Sequence, residues 1–323
     1  METNWKQWEK PLIEIDETIK KLKEVARHSK PEKGQDALIK IKEFEKRRDE
    51  AIAKIYSQLT PWEKVLIARA EPRPYTLDYI HSIFTQFVEL EGDRRHGADH
   101  AIVGGPAQLE GTSCMIIGHQ KGRNIQDRQY RNFGMAKPEG YRKAIRLMDM
   151  AERFRLPVIT FADTSAADPS VESECRGISE AIAASMLKMF ELTVPTLSVI
   201  IGEGGSGGAI GIAIGNKVFM LEHAVYSVIP PEGCAAILWH QPEQGPKAAE
   251  VLKLTAQSAK ELALIDGVID EPFGGAHRNP TECAESIKNV LLKELQILNK
   301  LKGSQLKEQR YARFRALGQY GTA

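Results

Sequence analysis

The sequence predicts an α/β protein that carries a helical extension at its N-terminus. From about residue 73 to residue 270, short apolar runs typical of buried strands alternate with apolar stripes at helical spacing. The first sixty or so residues are rich in charge and carry only the helical spacing. Between residues 201 and 209, five glycines separate a strand-like run from a short helical one. These patterns favour one large domain built around a buried sheet.

The N-terminal segment is predicted to be an antiparallel helical hairpin. Two sets of apolar residues recur at three- and four-residue steps, and Arg48 interrupts the second set. The sets are Leu12, Ile15, Ile19, Leu22 and Val25, then Leu38, Ile41, Phe44, Ile52 and Ile55. Residues 27–36 are polar and contain Pro31 and Gly34, which indicates the turn. Because two helices seldom bury such a stripe alone, residues 1–72 are expected to be a hairpin and connector used in assembly.

The rest of the chain, residues 73–323, is expected to be the α/β domain, ending in helices. Its predicted strands lie at 102–103, 115–117, 158–162, 193–201, 217–221, 225–229 and 265–269. The first two strands are expected to flank a glycine-containing turn. Its predicted helices lie at 137–156, 178–190, 209–214 and 281–301, the first with a proline in its opening turn.

Composition and charge exclude several classes of protein. Lys and Arg number 44 and Asp and Glu 43, so no basic field exists that would hold nucleic acid or an acidic membrane. No apolar run is long enough to span a bilayer, and the first residues do not resemble a signal peptide. The four cysteines are far apart and form no CxxC pair, which argues against a zinc or redox site built from cysteine. A reducing, cytoplasmic location is expected.

The strongest local signal is the glycine segment of residues 201–209, Ile-Gly-Glu-Gly-Gly-Ser-Gly-Gly-Ala. Glycines permit positive φ values and let a ligand approach the main chain. The start of the following helix presents backbone N–H groups without partners at its positive end. Such a place is suited to an anion, or to an oxygen that becomes negatively charged during a reaction.

From these residues alone, several functions stay open. A nucleotide-phosphate loop of the Walker type would need a lysine after the glycines, and none follows. A dinucleotide site would match Gly202, Gly204 and Gly207, with Glu222 as the ribose acid, but the following helix has room for only about two turns. The third possibility is an oxyanion hole made of two backbone N–H groups. The fourth is a tight turn without a ligand.

Several further stretches, together with the glycine segment, carry a resemblance to a known family. They are residues 59–69, 73–79, 87–94, 131–144, 226–239, 271–277 and 313–318. In this order they resemble the α subunit of the carboxyltransferase of acetyl-CoA carboxylase, in the multi-subunit form of bacteria and plastids. The resemblance covers nearly the whole chain.

The resemblance implies a crotonase-like (ClpP-like) spiral α/β domain with an N-terminal helical hairpin. It implies transfer of a carboxyl group from carboxybiotin, held on a separate carrier protein, to acetyl-CoA, which gives malonyl-CoA for fatty acid synthesis. The implied partners are a β subunit in an α2β2 assembly, the biotin carboxyl carrier protein and biotin carboxylase. The zinc site is expected in the β subunit, on four cysteines, and no metal is expected in this chain.

The resemblance also implies which residues form the site. Gly207 and Gly208 are expected to donate backbone N–H groups to the oxygen of the biotin enolate, with Ala209 opening the helix. Gly204 and Gly205 are expected to shape the turn and contact the substrate, and which glycine pair donates stays open. Ala166, in the loop after strand 158–162, is expected to complete the pocket. From the residues themselves, Glu203 could be a general base, but a hydrogen-bonding role in the loop or at the start of the helix is favoured. His277 is expected to be structural or to lie at an interface.

One loop departs from the family pattern. After residues 161–164 the family usually continues Pro-Gly-Ala-Tyr-Pro-Gly, whereas this chain has Ser-Ala-Ala-Asp-Pro-Ser at 165–170. Ala166 would be strained if the loop needs positive φ, and Asp168 would repel an oxyanion unless it faces solvent or pairs with Arg176. Two alternatives to the carboxyltransferase therefore remain. One is a dinucleotide-dependent oxidoreductase, and the other is a homologue with a weakened site that serves as an assembly partner.

Overall fold

The computed structural model describes residues 6–28 and 31–318. Within these ranges the strands are β1 (Ile102–Leu109), β2 (Thr112–His119), β3 (Val158–Thr164), β4 (Thr196–Gly205), β5 (Lys217–Leu221), β6 (Val225–Ser227) and β7 (Gly267–Ile269). The helices before β3 are α1 (Lys6–His28), α2 (Pro31–Tyr56), α3 (Pro61–Ala68), α4 (Thr76–Ile83), α5 (Ile125–Tyr130) and α6 (Pro138–Phe154). Those after it are α7 (Val171–Cys175), α8 (Ile178–Glu191), α9 (Ser206–Ile210), α10 (Pro231–Trp239), α11 (Gly245–Val251), α12 (Ala256–Glu261), α13 (Pro280–Leu298) and α14 (Gly303–Arg315).

These strands form one sheet in the order β1-β2-β3-β4-β5-β7, with β6 paired to the end of β4. The β1–β2 pair is antiparallel, and the other pairs are parallel. Every residue of β3 and β4 is buried, as expected for parallel strands covered on both faces. Thr164, at the end of β3, lies opposite Gly204, near the end of β4. This register brings the loop after β3 beside the glycine segment.

The glycines near the start of the domain lie in a strand and not in the predicted turn. β1 continues through Gly104 and Gly105, and the turn is instead Glu110–Gly111, where both φ values are positive. A Cβ atom at Gly105 would overlap the carbonyl group of Val88. The glycine therefore serves the close approach of β1 to the segment before it.

The strand before the glycine segment is longer than predicted. β4 runs to Gly205, and α9 covers Ser206–Ile210 in place of the predicted 209–214. Glu203, Gly204 and Gly205 pair with β6, which keeps this part of the chain extended although glycine disfavours strands. β6 and β7 are in turn shorter than the predicted strands at 225–229 and 265–269.

The longer predicted helices are confirmed. α6 begins at Pro138 and ends at Phe154, where Arg155 takes a left-handed φ of 55° two residues before Pro157. α8 and α13 cover most of the predicted 178–190 and 281–301. Strong apolar periodicity of 3.6 residues is the reason that these helices could be located from the sequence.

The N-terminal hairpin is present, with a shorter turn than predicted. α1 runs to His28 and α2 begins at Pro31, so most of residues 27–36 are helical and residues 29–30 lie outside the described part of the chain. Part of the predicted stripe is at most 6% exposed, namely Leu12, Ile19, Ile41 and Ile52. Val25 and Leu38 are instead 46% and 55% exposed. Both are near the turn, at the end of the hairpin opposite the residues that contact the α/β domain.

The connector after the hairpin packs into the α/β domain. Val65 and Ala68 of α3 belong to a buried apolar cluster with Val225, Ala249 and Leu254. α3 is on the N-terminal side of the predicted boundary at residue 72. The division into 1–72 and 73–323 stays a prediction. Because α3 packs against the α/β domain, a truncation that removes α3 also removes part of the buried core.

The C-terminal helix α14 is fastened to the domain by a buried arginine. Arg310 is fully buried and donates hydrogen bonds to the carbonyl oxygens of Met189 (2.7 Å) and Leu192 (2.9 Å), at the end of α8. It also donates to Oδ1 of Asn216 at 2.7 Å. Burial lowers the pKa of Arg310 to about 10. The guanidinium thus satisfies carbonyl groups at the end of α8 that a helix leaves without partners.

Candidate functional site

The glycine segment ends the buried strand β4 and opens the short helix α9. Ser206, the first residue of α9, has a φ of 50°, a left-handed value that is uncommon for residues other than glycine. Gly207 and Gly208 follow in the first turn, where backbone N–H groups have no partner within the helix. Gly207 is partly exposed and Gly208 is buried. Ala209 is fully buried and lies inside α9, so the prediction that it opens the helix is wrong.

Three of the glycines lie where a side chain would not fit. A Cβ atom at Gly205 would overlap the carbonyl group of Ser165, and one at Gly208 would lie 2.6 Å from the carbonyl carbon of Ala166. Gly204 is enclosed in the same way by an aromatic ring of β6, 2.8 Å from the position of a Cβ atom. The start of α9 therefore rests directly on the loop of residues 165–170.

Ala166 lies in this loop without the strain that the sequence predicted. It does not adopt a positive φ. The hydroxyl of Thr164 donates to the carbonyl oxygen of Ala166 at 2.6 Å, and its oxygen lies 3.3 Å from the Ala166 N–H group. The loop thus turns by way of the Thr164 side chain. That Ala166 contacts the substrate stays a prediction.

Asp168 takes neither of the two arrangements that the sequence suggested. It is 6% exposed, and its carboxylate accepts hydrogen bonds of 2.5 Å from both Ser170 and Ser173. Arg176 pairs instead with Glu139 and Glu172. Burial acts to raise the pKa of Asp168, but the two serine hydroxyls outweigh it, and the pKa lies below its ordinary value. The carboxylate is therefore held within its own loop.

A network of buried charges lies beneath the glycine segment. The ammonium group of Lys121 lies 2.7 Å from Asp163 and 2.9 Å from Glu203. Arg69, which follows α3, binds Glu203 at 2.7 Å and Glu232 at 2.5 Å. Burial alone would raise the pKa of Glu203, but the charges of Lys121 and Arg69 lower it to about 2. Glu203 is thus a paired carboxylate, which suits the predicted hydrogen-bonding role and makes it a poor general base.

A second buried ion pair supports the start of the same segment. Arg73 donates to both carboxylate oxygens of Glu271, at 2.8 Å and 2.5 Å, and its Nε donates to the carbonyl oxygen of Ile201 at 2.8 Å. Sequence reasoning named neither residue as part of the site. The sequence does contain a signal for both residues. Arg73 is the first residue of stretch 73–79 and Glu271 the first of stretch 271–277, and both stretches carry the family resemblance.

A cavity of about 360 Å³ adjoins the exposed side of Gly207. Most of its lining is apolar, and its walls include Ile210, Tyr226, Leu264 and Phe314. Pockets that bind small molecules are commonly apolar with a few well-placed polar groups. The cavity and the N–H groups at the start of α9 together could hold a flat, uncharged ring that carries one polar oxygen.

Other predicted features can be located in the structure. His277 lies with its Nε2 atom 3.3 Å from Oε1 of Glu9 and 3.4 Å from the Tyr56 hydroxyl, so it contacts the hairpin. In residues 6–28 and 31–318, no group of three or more His, Cys, Asp or Glu residues could hold a metal ion. The part of the chain that the structure describes also has no helix long and apolar enough to cross a membrane.

The geometry does not favour a dinucleotide site. α9 has five residues, whereas a crossover helix of the Rossmann type is longer. Oε2 of Glu222, the residue suggested for the ribose, lies 3.3 Å from the backbone N–H group of Glu271.

Solved structures of other proteins show the same fold. A *Pseudomonas* malonate decarboxylase hetero-tetramer in complex with coenzyme A contains a chain with a TM-score of 0.59 and 14% identity, over 74% of this chain and 96% of that one. The β subunit of *P. aeruginosa* geranyl-CoA carboxylase gives 0.55 and 17%, over 82% and 48%. Transcarboxylase 12S gives 0.53 and 20%, over 68% and 42%, so this chain spans less than half of the latter two proteins. The fold is that of the crotonase-like carboxyltransferases, as predicted.

Sequence relatives then identify the family. The chain is 50% identical to a *Geobacter metallireducens* protein over 316 residues, 97% of each chain. It is 50% identical to a *Vibrio parahaemolyticus* protein over 322 residues, 98% of this chain and 99% of that one. Both are named acetyl-coenzyme A carboxylase carboxyl transferase subunit alpha. Residues 5–318 match the family described as acetyl co-enzyme A carboxylase carboxyltransferase-like, and the chain belongs to this family. The predicted resemblance is confirmed, and the dinucleotide-dependent oxidoreductase is excluded.

Proposed function

We propose that the chain works with a β subunit to transfer a carboxyl group from carboxybiotin, held on a carrier protein, to acetyl-CoA. The product is malonyl-CoA, the precursor for fatty acid synthesis. Family membership supports the reaction. The observation within the structure that carries the proposal is the start of α9, where Gly207 lines an apolar cavity of about 360 Å³ and Gly208 follows it in the same turn.

The backbone of this turn supplies the chemistry that the reaction needs from this chain. As the carboxyl group leaves, negative charge develops on the ureido oxygen of biotin. The N–H groups of Gly207 and Gly208 can donate to this oxygen. One such donor typically lowers a barrier by about 3–4 kcal/mol. Gly204 and Gly205 shape the turn by their close packing, and Ala166 supports Gly208 from below.

The buried charge network keeps the site close to neutral. Two acids beneath the glycine segment, Asp163 and Glu203, share Lys121, and Glu203 also binds Arg69. Unpaired carboxylates there would repel an oxyanion, because both are negative and the repulsion between like charges is poorly screened in the interior. Since Glu203 is ionised and paired, the proton of the acetyl methyl group is expected to leave to the biotin side and not to Glu203.

The proposal includes partners and a location. We expect an α2β2 assembly with a β subunit that holds zinc on four cysteines, together with the biotin carboxyl carrier protein and biotin carboxylase. The four cysteines of this chain are free thiols, three of them buried, which suits a reducing cytoplasm.

A glycine substitution tests the proposed donors. In Gly208→Ala the new Cβ atom would lie 2.6 Å from the backbone of Ala166 and Ala167, so it must displace the turn from the loop. We expect carboxyl transfer to acetyl-CoA, assayed with the β subunit and a carboxylated carrier, to fall about 100-fold. Gly97→Ala is the matched control, since nothing lies within 4 Å of its Cβ position. Equal activity of Gly208→Ala and Gly97→Ala would refute the role of this turn.

The altered loop motivates a second candidate, a homologue that assembles but no longer catalyses. The same assay decides between them, because a stable complex with the β subunit that forms no malonyl-CoA would favour the assembly partner. Asp168→Tyr would restore the residue that is usual in the family at this position, but Asp168→Asn is the better probe of the loop. Asparagine keeps an acceptor for Ser170 and Ser173, whereas tyrosine would strip both hydroxyls of their partner in a buried place. If the carboxylate weakens the site, Asp168→Asn raises the rate of transfer.

A further inference from the structure

The carbonyl side of α9 is anchored by a tyrosine from another helix. The hydroxyl of Tyr141, in α6, donates a hydrogen bond of 3.1 Å to the carbonyl oxygen of Gly208. Tyr141 is fully buried, and burial raises the pKa of its hydroxyl above the ordinary value. The hydroxyl therefore stays protonated and remains a donor throughout the range in which the protein works.

The same side chain also contacts the far end of α9. A Cβ atom at Gly211, which caps α9, would lie 2.6 Å from Cε1 of Tyr141. There the hydroxyl of Ser185, in α8, donates to the carbonyl oxygen of Gly211 at 2.6 Å. Side chains of α6 and α8 thus hold the carbonyl groups of Gly208 and Gly211, at the two ends of α9.

Such anchors matter because α9 cannot order itself. A helix in isolation is marginal below about 12–15 residues, and α9 has five. Gly207 and Gly208 lose more conformational freedom on ordering than other residues would. The loop at Ala166 restrains Gly208 on one side, and the hydroxyl of Tyr141 restrains its carbonyl group. The first turn of α9 is therefore restrained from outside the helix, in addition to its own hydrogen bond from the Gly211 N–H group to the Gly207 carbonyl oxygen at 3.1 Å.

We propose that Tyr141 is a positioning residue for carboxyl transfer. By holding the carbonyl group of the Gly208–Ala209 peptide, it fixes the first turn of α9, the turn that carries the Gly207 and Gly208 N–H groups towards the developing oxyanion. This inference rests on the proposed function. Tyr141 is fully buried, and the proposed role needs no contact between this side chain and the substrate. Its effect on the reaction passes through the backbone of α9 alone.

Tyr141→Phe tests the proposal, because it removes the hydroxyl and keeps the ring against Gly211. Assayed as the complex with the β subunit, the variant is expected to lose about 10- to 100-fold in kcat. KM for acetyl-CoA is expected to change by less than about two-fold, since the interaction lost is one made in the transition state. Peptide-level hydrogen exchange is expected to rise in residues 205–211.

Tyr79→Phe is the matched control for the loss of a buried tyrosine hydroxyl. Tyr79 is 1% exposed, and its hydroxyl lies 3.3 Å from the sulfur of Cys283, in the core around α4 and α13. A merely structural role for Tyr141 predicts that both variants lower Tm and kcat alike, and that result would overturn the proposal. Unchanged kcat and unchanged exchange at 205–211 in Tyr141→Phe would overturn it too. If the wild-type complex transfers no carboxyl group, the proposed function fails, while the exchange of residues 205–211 still decides whether Tyr141 holds this helix.

Discussion

At the scale of single residues, the site depends on charges that meet across long stretches of sequence. Arg69, Lys121, Asp163, Glu203 and Glu232 lie on separate elements and meet under one strand end. The apolar periodicity predicted the helices and strands. It could not predict which charged side chains form ion pairs, because that depends on how the elements pack together, including the register of β3 and β4. Asp168 shows the same limit. The sequence showed an unexpected carboxylate, and only the fold shows that two serine hydroxyls hold it.

The lowered pKa of Glu203 gives a prediction about acid stability. Because its folded pKa, about 2, is below the ordinary value of 4.5, its ionised form stabilises the fold above pH 4.5. That stabilisation is lost as the pH falls from about 4.5 towards 2. Glu203→Gln is therefore expected to be less stable than wild type at pH 7, with a difference that shrinks as the pH falls. Denaturant titrations of both proteins at pH 7, 5, 4 and 3 measure it.

The control for this prediction is Glu110→Gln, which removes a surface carboxylate that pairs with Lys288. Exposed pairs contribute at most about 1 kcal/mol, so little change in stability is expected at any of these pH values. A difference between Glu203→Gln and wild type that stays constant from pH 7 to pH 3 would contradict the assignment of Glu203 as a depressed, paired carboxylate.

At the scale of elements, the glycine segment shows where sequence patterns mislead. Five glycines in a short stretch indicate a turn, yet Gly202, Gly204 and Gly205 belong to β4. Neighbouring backbone decides this, since β6 pairs with the segment and the 165–170 loop leaves no room for a Cβ atom at Gly205. The long helices were predictable because their periodicity is local. Tertiary packing overrides propensity where the signal is short.

The docking of the hairpin onto the domain gives a prediction at this scale. Glu9 is 2% exposed and accepts hydrogen bonds from Tyr56 and from Arg278 (3.0 Å), beside His277. Burial acts to raise the pKa of Glu9, but its contacts with His277, Tyr56 and Arg278 lower it below the ordinary value. Glu9→Ala removes the acceptor of the Tyr56 hydroxyl and one of the two carboxylate partners of Arg278, and breaking a buried ion pair typically costs about 3–5 kcal/mol. Hydrogen exchange is expected to rise in α1 and α2 while β3 and β4 stay protected.

Asp49→Ala is the matched control, because Asp49 is an exposed carboxylate of the same hairpin that pairs with Arg48. It is expected to leave the exchange of both helices unchanged. Equal exchange in Glu9→Ala and Asp49→Ala would show that the polar cluster does not hold the hairpin.

At the scale of the whole molecule, the fold class and the family were predictable, because the motifs that carry the resemblance span the chain. The boundary between extension and domain was harder to place. The sequence changes near residue 72 from a charged helical pattern to alternating strands and helices. In the structure, however, side chains are already buried in the core from about residue 65. Val65 and Ile67 are fully buried, so α3 contributes to the core although its composition groups it with the connector.

Truncation separates these two boundaries. A chain that lacks residues 1–57 keeps α3 and is expected to retain a cooperative thermal unfolding transition. A chain that lacks residues 1–72 loses Val65 and Ile67, each worth about 1.5–3 kcal/mol in burial, and also Arg69. It is expected to lose the cooperative transition. Thermal unfolding followed by circular dichroism measures both, and cooperative unfolding of residues 73–323 alone would place the boundary at residue 72 after all.

The position of Arg69 has a consequence for how such a chain can be divided or recombined. The arginine that binds Glu203 and Glu232 is delivered by the connector of the extension and not by the domain that holds the glycines. A genetic fusion or exchange of N-terminal segments between homologues therefore carries part of the electrostatic support of the site with it if the junction falls after α3. If the junction precedes α3, Arg69 stays on the same segment as the glycines, Glu203 and Glu232.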